Sequence, residues 1–268
     1  MLYNEKYGTF PIDGTTMEYI RFGKGKRVLI LIPGLGDSLR SMKGTALPMA
    51  VFYRQFCKEF TVYVFARKHV LQPGSTIRDM ARDLAYVMER MGIPCADILG
   101  VSMGGMIAQH LALDYPEKVN KLVLTVTAAR PNPVLTEAIA EWVSYVRQDD
   151  FTGFMQSNLK RIYSKDYCRK NQWMVPVLGK FAKPKSFDRF FIQADACLIH
   201  DTYDKLPGIQ SPTLVIGGEQ DLSLGGKASR EIAEKIPGAK LLMYEEWGHG
   251  LYEEAKDYNQ RVLDFLLS

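Results

Sequence analysis

Ser102 stands in Gly100-Val101-Ser102-Met103-Gly104, a Gly-x-Ser-x-Gly pentapeptide entered by the apolar run 96–101 and left by a stretch with helical spacing. Between a strand and a helix, this pattern predicts a sharp turn that exposes a serine hydroxyl for nucleophilic attack. Gly100 and Gly104 suit such a turn because it brings backbone segments too close together for larger side chains. Ser102 itself is expected in a strained backbone conformation. A serine hydroxyl is a poor nucleophile at neutral pH, so it needs a base within hydrogen-bond reach, and the base needs an orienting acid.

The base can be sought by elimination among four histidines. His69 falls in an expected loop, where a solvated ring outweighs a substrate-facing one, and His200 lies in a segment of different character. His110 lies two turns into the helix after Ser102 and cannot reach back. His249, in Trp247-Gly248-His249-Gly250, follows an apolar run and precedes the last helical stretch, and its flanking glycines suit a loop end that presents a ring. The acid should end another strand. The run 212–218 leads directly into Glu219-Gln220-Asp221, which makes Asp221 the first candidate and Glu219 its rival. Either carboxylate could instead cap the helix that begins near 225. The chain order Ser, Asp, His weighs towards catalysis.

These residues need a sheet to hold them. Two strands are expected around Asp13-Gly14, a favoured hairpin dipeptide. Four apolar runs, 27–32, 96–101, 121–126 and 212–217, read as strands buried on both faces, with shorter strands over 61–66 and 240–245. Helices are expected over 49–58, 76–91, 103–115, 225–236 and 251–267. Thr76 and Asp79 resemble a capping box and Gly92 a helix stop. The alternation predicts an α/β fold, a mostly parallel doubly wound sheet covered on both faces. The segment 130–206 breaks that rhythm. It opens on Arg130-Pro131-Asn132-Pro133, contains amphipathic stretches but no buried-strand run, and holds twelve of the thirty aromatic residues. We read it as a helical cap inserted after the sixth strand, with 1–129 and 207–268 forming the core domain.

The chain resembles the α/β-hydrolase fold superfamily, in its serine esterase, lactonase and haloperoxidase-like branch. The likeness rests on Ile32-Pro33-Gly34-Leu35-Gly36-Asp37, Gly100 to Gly105, Gly217-Gly218-Glu219-Gln220-Asp221 and Gly248-His249-Gly250. It implies Ser102 as nucleophile, His249 as general base and Asp221 as the acid that fixes the imidazole tautomer. It also implies an oxyanion hole made by the backbone N–H groups of Met103 and Leu35. Two departures stand out. Pro33-Gly34 replaces the family's usual His-Gly, and Phe65-Ala66-Arg67-Lys68-His69 keeps only the arginine of an Asp-x-Arg-Gly motif. The implied activity is cleavage of a small carboxylic ester or lactone through an acyl-enzyme on Ser102. A cofactor-free perhydrolase, a C–C or thioester hydrolase with the same three residues, and a slow-turnover binding protein are the alternatives.

Composition narrows the classes further. At 268 residues, with 47% apolar and 24% charged residues and a net charge of +4, the chain reads as globular, with too little positive charge for a nucleic-acid partner. No signal-type or membrane-spanning run is seen. Cys57, Cys95, Cys168 and Cys197 lack C-x-x-C spacing, which predicts a reduced, cytoplasmic protein with no disulfide framework and no metal site. A dinucleotide loop fails at Leu39, a P-loop fails at Ala228, and no cofactor is implied. The expected partner is a small ester-like molecule, with homo-oligomerisation left open. Trp142, Phe154 and Trp173 are the substrate-pocket candidates, alongside Phe151, Tyr163, Phe181, Phe190 and Phe191, each of which could equally belong to the insertion's own core. Between 156 and 189, nine Lys or Arg face two Asp, more often a solvated face than an anion-steering one.

Overall fold

A computed structural model describes residues 3–268, except for the side chains of Leu178, Lys180 and Phe181. In chain order the elements are β1 (Lys6–Ile12), β2 (Thr15–Gly23), β3 (Arg27–Ile32), α1 (Ala46–Phe52), β4 (Phe60–Lys68), α2 (Ile77–Arg90), β5 (Ala96–Val101), α3 (Met103–Asp114) and β6 (Val119–Thr125). Five helices follow: α4 (Pro133–Arg147), α5 (Phe151–Ile162), α6 (Lys165–Asn171), α7 (Val175–Phe181) and α8 (Asp188–Leu198). The chain then returns through β7 (Thr213–Gly218), α9 (Gly226–Lys235), β8 (Lys240–Tyr244), α10 (Leu251–Glu254) and α11 (Tyr258–Leu267).

The eight strands form one sheet in the order β1-β2-β4-β3-β5-β6-β7-β8, antiparallel at the β1-β2-β4 end and parallel from there on. Successive side chains of a strand face opposite sides, and the apolar runs use both. Ile30, Ile32, Ile98, Leu122 and Leu124 join one buried cluster with α2 and α3. Leu29, Leu31, Leu99, Val101 and Val123 join a second with α11. Continuous rather than alternating apolar runs are what a sheet covered on both faces requires. The carboxyl ends of β3, β5, β7 and β8 therefore share one edge of the sheet, where open α/β folds place their sites.

Two elements differ from their sequence expectation. The helix expected over 49–58 is α1 over Ala46–Phe52 followed by a 3₁₀ turn at Arg54–Phe56. Pro48 does not delay its start, because the first-turn N–H groups of a helix lack partners anyway. The single helix expected over 251–267 is α10 and α11, parted at extended Ala255. The break turns Tyr258 into the core, where its hydroxyl lies 2.8 Å from Thr125 Oγ1. Around α2 the expectation holds: Thr76 and Asp79 form a reciprocal capping box.

Helices α4–α8 lie between β6 and β7 in the chain. Helix α8 packs against the 3₁₀ turn Leu35–Leu39 that follows β3, and α4 packs against α5 and α8.

Candidate active site

Ser102 sits between β5 and α3 with φ 56° and ψ −124°. This left-handed region disfavours every residue with a Cβ and costs about 1–3 kcal/mol. The surroundings hold it there. Ser102 N–H donates to the Thr125 carbonyl at 2.9 Å, and its carbonyl accepts from Thr127 Oγ1 at 2.7 Å and Gly105 N–H at 2.8 Å. The neighbouring glycines are sterically required. A Cβ on Gly100 would stand 2.5 Å from the Gly104 carbonyl oxygen, and one on Gly104 would stand 1.9 Å from the Ile32 oxygen. The strand end, the helix start and the β3 loop are thus in backbone contact around one serine.

His249 and Asp221 are brought together from the ends of β8 and β7. His249 Nδ1 lies 2.8 Å from Asp221 Oδ2, and both side chains are buried. The other carboxylate oxygen, Oδ1, accepts from the backbone N–H groups of Ser223 at 2.8 Å and Leu224 at 2.9 Å. These bonds leave the carboxylate one orientation. Glu219, the rival, points elsewhere and pairs with Arg230. The His249 loop is braced by α5: Gly250 N–H donates to the Ile162 carbonyl at 2.6 Å, and Tyr163 and Ser164 donate to Glu253 and Glu254 at 2.8 and 2.6 Å.

Leu35 opens the 3₁₀ turn after β3, and Met103 opens α3. Among the described residues, neither backbone N–H donates to a protein acceptor. Gly34 lies directly against Ser102, since a Cβ there would stand 3.2 Å from Ser102 Cβ. The Met103 N–H lies at the N-terminus of α3, where the helix dipole favours negative charge.

Of the aromatic candidates, Trp142 and Phe154 are buried. Phe154 packs against Phe151 and Phe190, both with ring centroids 5.6 Å away. Trp173 is 69% exposed, on the short 3₁₀ turn after α6. The Phe181 side chain lies outside the described residues. His69 is exposed, whereas His110 and His200 are buried together, ring centroids 5.3 Å apart. A groove of about 990 Å³ runs along α5 and α6 past Trp247 and Gly248, and Ser102 is not in its wall. Part of the basic excess is neutralised locally, Arg161 pairing with Glu137 and Glu141.

Sequence reasoning missed a buried charge cluster behind the β3 loop. Asp37 Oδ2 accepts from Arg189 of α8 at 3.1 Å and from the Arg67 backbone N–H at 3.1 Å. Arg67 was visible only as a motif remnant. Nothing in the local pattern of α8 marks Arg189.

A parallel-dominated sheet carries a strained serine turn at the end of β5 and a buried Asp–His pair beyond the ends of β7 and β8. The profile of the alpha/beta hydrolase fold matches residues 27–256, and the chain belongs to that family. Curated relatives include a provisionally named carbamate hydrolase, RutD, of Caulobacter sp. (strain K31), 24% identical over 90% of this chain and 91% of the relative. Another is a 2-hydroxy-6-oxononadienedioate/2-hydroxy-6-oxononatrienedioate hydrolase of Pseudomonas sp., 27% identical over 91% and 89%. The crystal structure of the enol-lactonase from Burkholderia xenovorans LB400 superposes with a TM-score of 0.82 at 22% identity, covering 97% of this chain and 100% of that one. Among the described residues, no helix is long and apolar enough to cross a membrane.

Proposed function

We propose that the chain is a serine hydrolase of small carboxylic esters or lactones, with Ser102 as nucleophile, His249 as general base and Asp221 as its orienting acid. The observation that carries this reading is the buried 2.8 Å contact between Asp221 and His249 Nδ1, at the sheet edge that bears the strained Ser102. With Nδ1–H donating to the carboxylate, Nε2 is the basic nitrogen.

Nε2 takes the Ser102 proton as Oγ attacks the substrate carbonyl. The oxyanion is received by the Leu35 and Met103 N–H groups, and Asp221 stabilises the imidazolium. Collapse expels the alcohol oxygen, which leaves with the proton from Nε2. Water then repeats the sequence: His249 takes its proton, the tetrahedral oxyanion forms again, and Ser102 Oγ departs reprotonated. The carboxylic acid is the second product.

In the same reading, 130–206 is a cap whose inner surface shapes the substrate site. The packing of α8 on the Leu35–Leu39 turn supports that role. Trp142 and Phe154 remain its pocket candidates. A second reading, hydrolysis of a C–C bond beside a ketone, draws on the 27% identical relative named as a hydrolase of 2-hydroxy-6-oxononadienedioate. A fluorophosphonate probe separates a working serine from a vestigial one: wild type should be labelled at Ser102 and Ser102→Ala should not. Labelling at another serine would overturn the assignment. Turnover across p-nitrophenyl esters, lactones and a 2-hydroxy-6-oxodienoate then decides between the two reactions.

A further inference from the structure

The Arg67 side chain is buried in a place where a surface-type ion pair would have no reason to be. It comes off β4 and passes under the loop after β3, where Nη2 donates to the carbonyl oxygens of Pro33 and, at 3.3 Å, Gly34. Asp37, itself buried and on the same loop, faces Arg67 with Oδ2 at 3.8 Å from Nη1. Arg189 reaches in from α8, donating to that same Oδ2 at 3.1 Å and to the Arg67 carbonyl at 3.4 Å. Two guanidinium groups thus share one carboxylate. Arg67 Nε and Nη1, Arg189 Nε and Asp37 Oδ1 have no hydrogen-bond partner. Burying this set carries a desolvation cost that its internal pairing only partly offsets. Such an arrangement asks for a reason beyond stability.

The peptide unit it grips supplies one. The Gly34 carbonyl and the Leu35 N–H belong to a single planar unit, and among the described residues no peptide bond is cis, so the two point in opposite directions. The Gly34 carbonyl accepts from the Asp37 N–H at 3.2 Å inside the 3₁₀ turn and from Arg67 at 3.3 Å, so Arg67 adds a charged side-chain donor to a carbonyl whose direction sets that of the N–H. A charged donor also polarises the unit, which strengthens the N–H as a donor. Gly34 lies against Ser102, with Arg67 on its carbonyl side.

We propose that Arg67 is a positioning residue for the oxyanion pocket: its guanidinium holds the Gly34–Leu35 peptide so that the Leu35 N–H faces the Ser102 side. Asp37 and Arg189 make this alignment depend on how α8 of the 130–206 segment is seated. The inference rests on the hydrolase reading for its catalytic consequence, though not for the peptide alignment itself. No step of the reaction passes through Arg67. It acts only through the backbone it holds.

The test uses Arg67→Lys, which keeps the charge on a shorter side chain whose nitrogen falls short of both carbonyls, and Arg67→Met, which removes the donor but leaves Asp37 paired with Arg189 if the first variant fails to fold. Removing a whole oxyanion donor typically costs ~10²–10³ in kcat, so a misdirected one should cost about 10- to 100-fold. The expected result is that loss in kcat, with KM within about twofold, and an equal loss of affinity for a trifluoromethyl ketone, whose adduct carries the oxyanion. The Leu35 amide resonance in a ¹⁵N spectrum should move in both variants. Arg189→Met should give a smaller change in the same direction and add nothing to Arg67→Lys. An unmoved Leu35 resonance in a folded variant, or kcat within about twofold of wild type, would overturn the proposal. So would a loss shared equally between substrate and ketone affinity, which marks a general structural defect. If wild type takes no fluorophosphonate on Ser102, the hydrolase reading fails by itself, while the Leu35 resonance still judges the clamp.

Discussion

Replacing Asp221 by asparagine is the most pointed test of the site, because the structure dictates how the new side chain must lie. Oδ1 of Asp221 is held by two backbone donors, the N–H groups of Ser223 and Leu224 at 2.8 and 2.9 Å. An amide nitrogen placed there would face two N–H groups, so the asparagine oxygen must take that position. Its NH₂ then occupies the place of Oδ2, 2.8 Å from His249 Nδ1. Nδ1 must accept, the ring proton moves to Nε2, and the nitrogen that should take the Ser102 proton is already protonated. A wrong tautomer with the geometry intact costs ~10⁴ in kcat where the same three groups are used elsewhere, or about 5 kcal/mol of barrier. Stability should change by only about 1 kcal/mol, because the backbone donors stay satisfied. The assay is steady-state hydrolysis of a p-nitrophenyl ester beside thermal melting. A variant that melts like wild type and keeps more than a tenth of its kcat/KM would refute the assignment of Asp221 as the orienting acid.

Further expectations follow from other parts of the structure. Glu219→Gln breaks only the partly exposed pair with Arg230, so it should leave ester turnover within about twofold and cost under ~1 kcal/mol in a urea titration. Ser102→Gly removes the strain of φ 56° and should raise stability by about 1 kcal/mol while abolishing turnover; unchanged melting would mean the turn holds no strain. Gly104→Ala drives a methyl onto the Ile32 carbonyl and should destabilise by about 1–3 kcal/mol and slow fluorophosphonate labelling. Burial lowers His110 to about 4 and His200 to about 3, the neighbouring His110 adding to the second effect. The unfolded chain takes up protons near 6.5, so stability is full above that pH and falls as pH drops towards 4 and then 3, by about 1.4 kcal/mol per unit for each histidine. Urea midpoints measured from pH 7 to 4 should show this acid limb, and His200→Phe should flatten it; equal slopes would refute the account.

Much of the fold could be read from the chain because strand burial writes itself into composition. The run at 96–101 is buried throughout and apolar but for Asp97, which pairs with Arg27, since both faces of β5 are covered, and Thr76 with Asp79 caps α2 through local bonds alone. The split of the last helix was not legible. It depends on Tyr258 reaching Thr125, more than a hundred residues away, a contact no local pattern encodes.

The division is sharpest at the site itself. The sequence alone determined the serine turn, because the strand, Gly100, Ser102, Gly104 and the helix act within one short stretch. Histidine count and chain order also singled out His249. Which of Asp221 and Glu219 meets His249 belonged to the tertiary structure, since two residues of spacing put one carboxylate on His249 and the other on Arg230. So did the exposure of Trp173, which its aromatic character alone does not give. The meeting of Arg67, Asp37 and Arg189 was equally out of reach. They come from β4, the loop after β3 and α8, and only the folded chain brings their charges to the peptide beside Ser102.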